Sequence, residues 1–310
     1  MIIKTQIIII ILFISQFSFA QNNILRVTSQ RNNDKSLTFS FNKKEHGSFF
    51  LSLWFTELSN SHSRGYNNVV KGLNGRLFTL KPDDENQGIG CSYRTWYIRG
   101  VPNPKFDANY TYLLPLGGTQ SAVMRTMTNV NSMYFGSAKP KGWNAYLFYV
   151  NVGDTAFVSR KGIVVKVTNN YPNDTLNIIS YQSKVNQVLI EHTDGTLASY
   201  KGFAQNSIMV EEGQTVFPRT PLGIISAYDN RGQGQLRFSV YYLNYTNPET
   251  ENNNTFKNKI SYYAYIEPYF LTKNGSVKLE SGESYKTVIS KEIIFQEFTK
   301  RELKKLRKKK

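Results

Sequence analysis

The sequence predicts an all-β protein with an N-terminal β-sandwich, a second β domain and a short basic helix at its C-terminal end. Three observations lead to this prediction. Short segments alternate apolar and polar residues and are separated by turn residues. The 20 Tyr and 20 Phe residues, together with many Val, Ile and Thr, belong to the types enriched in strands. A chain of 310 residues is long enough for two domains that each bury a core.

The first domain, over residues 21–118, has the pattern of an immunoglobulin-like β-sandwich. Its apolar and polar residues alternate with the period of a strand, and Pro102-Asn103-Pro104 is one of the turn signals between the segments. Several short strands at this spacing are typical of a sandwich. The predicted strands cover residues 37–41, 50–55, 77–80, 93–98 and 110–114.

Residues 1–20 have the pattern of a signal peptide. Lys4 provides a positive charge, an apolar run follows over residues 7–13, and Ala20 ends a small-residue cleavage motif. The apolar run is shorter than a segment that spans a bilayer. We therefore expect an exported protein, located in the periplasm, at the cell surface or outside the cell. Its single cysteine, Cys91, has no partner for an internal disulfide.

Positive charge is concentrated at the C-terminal end. The formal net charge is +16, and residues 300–310 contain eight basic side chains with Glu302 as the only acid. Thr299 and Glu302 have the spacing of a capping box, which predicts a helix that begins here. For an exported protein nucleic acid is not the partner to infer, and an anionic membrane or polymer is the candidate contact. The alternative is a solvated tail.

Turn-rich and polar stretches divide the rest of the chain. Pro140 and Gly142 form part of the first stretch, and Pro248 lies in the second. We therefore predict a linker over residues 119–141 and a second domain over 142–245. A polar loop over 246–259, C-terminal strands over 260–290 and the basic helical tail over 291–310 follow.

The second domain contains four sequence blocks that occur in the same order in a known family. They cover residues 152–165, 186–200, 210–223 and 235–240. Asp194-Gly195, between two alternating runs, predicts a hairpin turn in which Gly195 adopts a positive φ. Together the blocks resemble the lysostaphin or LytM-type zinc metallopeptidase domain, a compact β fold that cuts peptide crossbridges in peptidoglycan. The resemblance implies a lysostaphin-like β domain here.

The resemblance also indicates where the active family holds zinc and acts on water. A catalytic zinc needs three protein ligands and an open position, because the metal must lower the pKa of bound water. The corresponding positions hold Trp143, Leu147, Gly202, Gln235 and Arg237. None of them keeps a usable ligand, and the fixed charge of Arg237 would repel a divalent cation. The resemblance therefore implies a degenerate domain without catalytic residues or metal, a pseudoenzyme.

Our leading hypothesis is a non-catalytic protein that keeps the groove of its peptidase relatives. It would bind cell-wall peptidoglycan, through peptide or glycan, or an envelope partner protein. An Arg beside aromatic residues suits a carboxylate-bearing peptide or an acidic sugar. The alternative for the aromatic residues is a place in the core or on a strand face. The side chains expected to line the groove are Trp143, Tyr146, Tyr200, Gln235 and Arg237.

Two other functions are compatible with the sequence. The first is an active zinc metalloendopeptidase with an unusual ligand set, drawn from Glu191, His192, Asp194 and Asp229. Adjacent strand residues such as Glu191 and His192 point to opposite faces, which disfavours a shared metal site. The second is a structural subunit of an envelope assembly, in which the sandwich contacts partner proteins and the basic tail docks on membrane or wall.

Overall fold

The computed structural model describes residues 24–118, 121–127, 141–172, 185–227, 232–245 and 262–308. The predicted signal peptide, the predicted loop over 246–259 and most of the predicted linker lie outside these residues. In the described part nearly all regular structure is β-strand, which confirms the predicted all-β class. Neither of the two helices in these ranges is both long and apolar enough to cross a membrane.

The N-terminal unit is a sandwich of two three-stranded antiparallel sheets. Along one strand Leu37, Phe39 and Phe41 are buried and alternate with more exposed residues, so one face of the strand enters the core. Phe39 of the first sheet and Leu53 of the second share that core. In spatial order the first sheet contains β1 (Leu25–Arg31), β2 (Leu37–Lys43) and β5 (Asn74–Leu80), and the second contains β4 (Tyr66–Val70), β3 (Phe49–Ser59) and β6 (Gly90–Arg99).

The second unit is built on a main sheet that has nine strands within the described ranges. In spatial order these are β14 (Thr215–Val216), β11 (Gly162–Thr168), β12 (Gln187–Glu191), β13 (Leu197–Lys201), β16 (Gln233–Leu243), β9 (Tyr146–Asn151), β8 (Ser121–Thr126) and β20 (Ser284–Lys286), with β17 (Tyr263–Ile266) also paired to β16. Two smaller sheets pair β10 (Thr155–Phe157) with β15 (Pro221–Ile224), and β19 (Gly275–Val277) with β18 (Tyr269–Thr272) and β7 (Thr111–Tyr112). The helices α1 (Lys291–Phe295) and α2 (Lys300–Lys308) follow.

One face of the main sheet, the inner face, forms the largest core. Tyr146, Phe148, Tyr200 and Phe238 on this face are at most 1% exposed. The ring of Phe270 on β18 packs against those of Tyr146 and Phe238, with centroid distances of 5.4 and 5.8 Å. The small sheet that contains β18 therefore covers the inner face, and the opposite face, the outer face, is left for other contacts.

The hairpin between β12 and β13 follows the sequence prediction. His192 and Thr196 close the turn, because the His192 N–H donates to the Thr196 carbonyl at 2.8 Å. Gly195 has a φ of +88°, a value that L residues rarely adopt. The Asp194 side chain accepts hydrogen bonds from the Thr196 backbone N–H at 3.0 Å and hydroxyl at 2.6 Å. The Asp-Gly pair thus sets the register of the two strands.

Two predicted domain boundaries need correction. The predicted linker over 119–141 contains β8, which pairs with β9 and β20. Buried Ala122 and Met124 alternate with exposed residues, but the exposed Val123 between them is also apolar, so the sequence shows no clear apolar-polar alternation here. The segment 110–116, predicted as part of the sandwich, is buried in the core of the second unit. It is held there by the parallel pairing of β7 with β18, a long-range contact that no local pattern shows.

Charged groups join the two units. Glu45 of the sandwich forms an ion pair with Arg99 and another with Lys166 Nζ of the second unit at 2.9 Å. Glu191 of the second unit contacts the sandwich, because its Oε2 accepts a hydrogen bond from the backbone N–H of Ser48 at 2.7 Å. These side chains are partly buried, so each would cost free energy without its partner. The network therefore fixes how the sandwich sits against β11 and β12.

Aromatic side chains complete the contact between the units. The Tyr245 ring lies 4.7 Å from that of Phe50 and 5.9 Å from that of Trp96, measured between centroids. The Tyr263 hydroxyl donates to the Arg99 carbonyl at 2.9 Å. Rings of this size bury large apolar areas, and we infer that the two units form one body.

Lys43 provides a test of this interface. Its side chain is 3% exposed, and burial lowers its pKa to about 8. Between that value and the ordinary pKa of 10.5, the unfolded chain binds more protons than the folded one, so stability rises with pH. In urea unfolding, the wild type should gain stability relative to Lys43→Met between about pH 7 and about pH 10.

The matched control is Lys44→Met, because Lys44 is the exposed neighbour on the same strand end. Its unfolding free energy should follow the wild-type pH profile. A Lys43→Met protein whose profile also runs parallel to that of the wild type would contradict the assigned burial of the ammonium group.

Candidate functional site

A row of cross-strand partners crosses the outer face of the main sheet. Arg237 on β16 lies opposite Leu147 on β9 and Lys201 on β13. Leu147 in turn lies opposite Arg125 on β8, and Lys201 opposite Gln187 on β12. Facing residues of neighbouring strands share one face and lie about 5 Å apart. The row thus carries three basic side chains across five strands, and we call it the basic row.

A pocket of about 120 Å³ opens on the basic row. Lys201 and Arg237 supply its positive charge, and Ser199 and Ser239 add hydroxyl groups. None of the described lining residues is acidic, so the pocket favours an anion. The described residues that line it are Met127, Trp143, Ala145, Gln187, Leu189, Ser199, Lys201, Arg237, Phe238, Ser239, Tyr241 and Tyr265.

Aromatic rings form one wall of this pocket. Trp143 precedes β9, and its ring lies 4.6 Å from that of Tyr265 in an edge-to-face arrangement. Tyr265 is the register partner of Tyr241, and their ring centroids are 5.3 Å apart. The wall therefore depends on the pairing of β17 with β16. Aromatic surfaces of this kind pack well against aliphatic groups and sugar rings.

Gln235 orients Arg237 from within the same strand. Its side chain is 2% exposed, and its Oε1 accepts the Nε–H of Arg237 at 2.8 Å. The two residues are two positions apart and so share the outer face. The buried Gln235 Nε2 has no protein partner among the described residues. Such a donor is uncommon in a folded protein, and a ligand oxygen is one partner that would satisfy it.

Tyr146 and Tyr200, which we expected in the groove, lie in the core instead. Both are fully buried on the inner face. The Tyr200 hydroxyl accepts the backbone N–H of Ser159 at 3.0 Å, and the Tyr146 hydroxyl accepts from the Asn144 side chain at 3.2 Å. The reason is the two-residue period of a strand, which points neighbours to opposite faces. The prediction that these tyrosines line a groove is wrong.

The same period identifies site residues that the sequence prediction missed. Lys201 follows Tyr200 and therefore points to the outer face beside Arg237. Arg125 lies on a strand that was predicted to be a linker. Tyr241 and Tyr265 join the site through the register of β16 and β17. The strand alternation alone could therefore have predicted Lys201 and Tyr241 as site residues. Predicting Arg125 and Tyr265 would also have required the order of the strands in the sheet.

Gly202, at a position assigned to a lost ligand, has a backbone that excludes a side chain. Its φ is +107°, and a Cβ built there would lie 2.2 Å from the Gln235 carbonyl oxygen. A Cβ contact this short requires the backbone to shift. At position 202 the backbone conformation itself is therefore incompatible with a ligand side chain. Replacing Gly202 with His would not by itself restore a ligand.

His192 has a structural environment. Its side chain is 2% exposed, and the Nδ1–H donates to the Lys161 carbonyl at 2.7 Å. Burial, and then the positive charge of Arg160, lowers the pKa of the ring, so the imidazole is neutral near neutral pH. The ring also makes an edge contact with Tyr112 at 5.7 Å between centroids. It lies within the core, away from the pocket.

The other residues of the alternative ligand set serve separate contacts. Glu191 binds Ser48 of the sandwich, whereas Asp194 Oδ2 forms an ion pair with Arg160 at 2.8 Å. Asp229 lies outside the described residues. In the ranges that are described, no group of three His, Cys, Asp or Glu side chains is placed to hold a metal ion. The residues on the basic row do not fit zinc either, because they are hydrocarbon, amide and cationic groups.

No family model and no curated protein matches this sequence. Solved structures do match. The M23 metalloprotease pseudoalterin from the deep sea is 14% identical, with a TM-score of 0.30, over 58% of this chain and 96% of that one. Csd3 from Helicobacter pylori is 10% identical, with a TM-score of 0.28, over 91% of this chain and 83% of that one.

A zinc-containing peptidase from Vibrio cholerae is 14% identical, with a TM-score of 0.25, over 70% of this chain and 75% of that one. The matched structures include M23 peptidases. Similarities of this size establish no residue correspondence. The chemistry of the site therefore rests on the side chains of this chain.

Replacing Gly202 with Ala should destabilise the protein. The positive φ costs an L residue about 1–2 kcal/mol, and the overlap with the Gln235 carbonyl adds to this. We expect the free energy of unfolding in urea to fall by about 3 kcal/mol or more.

The matched control is Gly153→Ala, because Gly153 has a φ of +93° and nothing within 4 Å of the added Cβ. The free energy of unfolding of this variant should fall only by the cost of the positive φ, about 1–2 kcal/mol. Equal losses in the two variants would mean that position 202 has room for a side chain, contrary to the structure.

Proposed function

We propose that this chain is an exported, non-catalytic binding protein, and that the pocket on the basic row holds a carboxylate-bearing group of the cell wall. The observation that supports the proposal is the placement of Arg237 and Lys201 side by side, with Arg125 farther along the same row. The pattern of residues 1–20 supports export.

The geometry around Arg237 suits carboxylate recognition. Gln235 accepts the Nε–H of this guanidinium and so fixes its plane. A planar, oriented guanidinium can form paired hydrogen bonds to a carboxylate, which are stronger than hydrogen bonds between neutral groups. Lys201 adds a second positive charge on the neighbouring strand. A peptide carboxylate or the acidic group of a wall sugar has the required charge.

The size and walls of the pocket restrict what enters it. A volume of about 120 Å³ accommodates a terminal residue or a small acidic group, with the remainder of the ligand lying along the outer face. Trp143, Tyr241 and Tyr265 offer ring surfaces beside the charged groups. This combination suits a wall peptide or glycan, which presents carboxylates next to aliphatic groups and sugar rings. An acidic segment of an envelope protein is the alternative occupant.

Catalysis of the lysostaphin type is not part of the proposal. That reaction requires a metal that lowers the pKa of a bound water. Leu147 and Arg237 face each other on the outer face, and neither can ligate a metal. Gly202 has no room for an imidazole. We infer that the chain binds its wall ligand without cleaving it.

Binding to purified sacculi tests the proposal. Arg237→Ala and Lys201→Ala should each weaken co-sedimentation of the mature protein with sacculi by roughly tenfold or more, because each removes a charge-assisted hydrogen bond. The control is Arg94→Ala, which removes an exposed charge from the sandwich. Circular dichroism checks that each variant is folded. Unchanged binding by a folded Arg237→Ala protein would refute the proposed site.

A further inference from the structure

The segment after the last strand is held tightly against the second unit. The Arg160 Nε–H is shared between the two carboxylate oxygens of Glu297, and Arg160 Nη2 forms an ion pair with Glu297 Oε1 at 2.7 Å. Arg160 is 4% exposed, and its guanidinium lies 3.8 Å from the ring centroid of Tyr110. It also pairs with Asp194 at 2.8 Å. A cation shared in this way anchors the chain at Glu297.

A second anchor fixes the start of α2. Lys161 Nζ donates to Glu302 Oε2 at 2.8 Å and to the Glu297 carbonyl at 2.9 Å. The Thr299 N–H donates to Glu302 Oε2 at 2.7 Å, and Glu302 N–H donates to Thr299 Oγ1 at 3.3 Å. This is the capping box that the sequence predicts. The helix therefore begins at a defined place on the surface.

These anchors separate the charges of the segment. The carboxylates of Glu297 and Glu302 bind Arg160 and Lys161 of the body, which leaves Glu292 as the exposed acid between residues 291 and 305. The basic side chains point to solvent instead. The exposed ones in that range are Lys291, Lys300, Arg301, Lys304 and Lys305.

Apolar side chains lie beside these basic groups. Ile289 is 53% exposed just before α1, and Phe295 is 38% exposed at its end. The Phe295 ring lies 5.1 Å from that of Phe298, which packs in turn on Phe217 of the body at 4.6 Å. One side of the Phe295 ring thus packs on Phe298, while the rest of the ring is exposed to solvent. Exposed apolar and basic residues on one short segment are the composition of membrane-surface helices.

We propose that residues 289–305 form a docking surface for an anionic phospholipid bilayer. The basic side chains would lie at the lipid headgroups, and Ile289 and Phe295 would enter the interface between headgroups and acyl chains. An acidic wall polymer matches the charge but has no layer to receive apolar side chains, so the exposed Ile289 and Phe295 favour lipid. The site is separate from the pocket on the basic row and does not rest on the function proposed for it.

Vesicle co-sedimentation of the mature protein tests this surface. The protein should bind phosphatidylcholine vesicles that contain phosphatidylglycerol and bind vesicles of phosphatidylcholine alone far more weakly. Replacing Lys300, Arg301, Lys304 and Lys305 with Gln should weaken binding to the anionic vesicles by about a thousandfold at low salt. The matched control replaces Arg64, Lys71, Arg94 and Lys105, all exposed in the N-terminal part of the chain, with Gln. The control should leave most of the affinity intact.

A second variant separates docking from net charge. Phe295→Ser leaves the charge unchanged and should remove the binding that persists in high salt, where electrostatic attraction is screened. Three outcomes would overturn the proposal: equal losses in the two charge variants, no effect of Phe295→Ser at high salt, or binding to soluble poly-glutamate without binding to anionic vesicles. Sacculus binding measured on the same variants should remain unchanged.

Discussion

The register of β13, β16 and β9 determines both faces of the second unit. With Lys201, Arg237 and Leu147 aligned across the three strands, Tyr200, Phe238 and Tyr146 are aligned on the opposite face. A shift of one residue would exchange the two sets and place charged groups in the core. Burial of the aromatic set therefore holds the basic row in place. The core and the binding face are two consequences of one pairing.

Buried charges position the parts that surround this sheet. Glu45 joins the sandwich to the second unit through Arg99 and Lys166, and Arg160 joins the C-terminal segment to it through Glu297. Each such charge would be costly if it lost its partner, so the contacts specify orientation even where they add little net stability. Within the part of the chain that the structure describes, two basic surfaces result, one on the outer face of the sheet and one on the C-terminal segment.

Local patterns predicted the local features of this fold. The alternation in the first hundred residues indicated a sandwich, Asp194-Gly195 indicated a hairpin, and Thr299 with Glu302 indicated a helix start. Each of these depends on neighbours in sequence. The strand β8 and the parallel pairing of β7 with β18 depend on residues far apart in the chain, and no local pattern encodes them.

The candidate site was predicted in part for the same reason. Trp143, Gln235 and Arg237 are on or beside the outer face, whereas Tyr146 and Tyr200 belong to the core. The error came from treating consecutive residues as one surface, although a strand points them to opposite sides. Arg125 and Tyr265 could not be predicted from local sequence patterns, because the pairing of neighbouring strands brings them to the site.

We propose that the outer face recognises an anion, and among the described residues it offers no set of ligands for a catalytic metal. Elemental analysis of the purified mature protein, after incubation with zinc and dialysis, tests it most directly. We expect far less than one zinc ion per chain and no effect of a chelator on sacculus binding. One tightly held zinc per chain, together with chelator-sensitive release of peptides from sacculi, would contradict it.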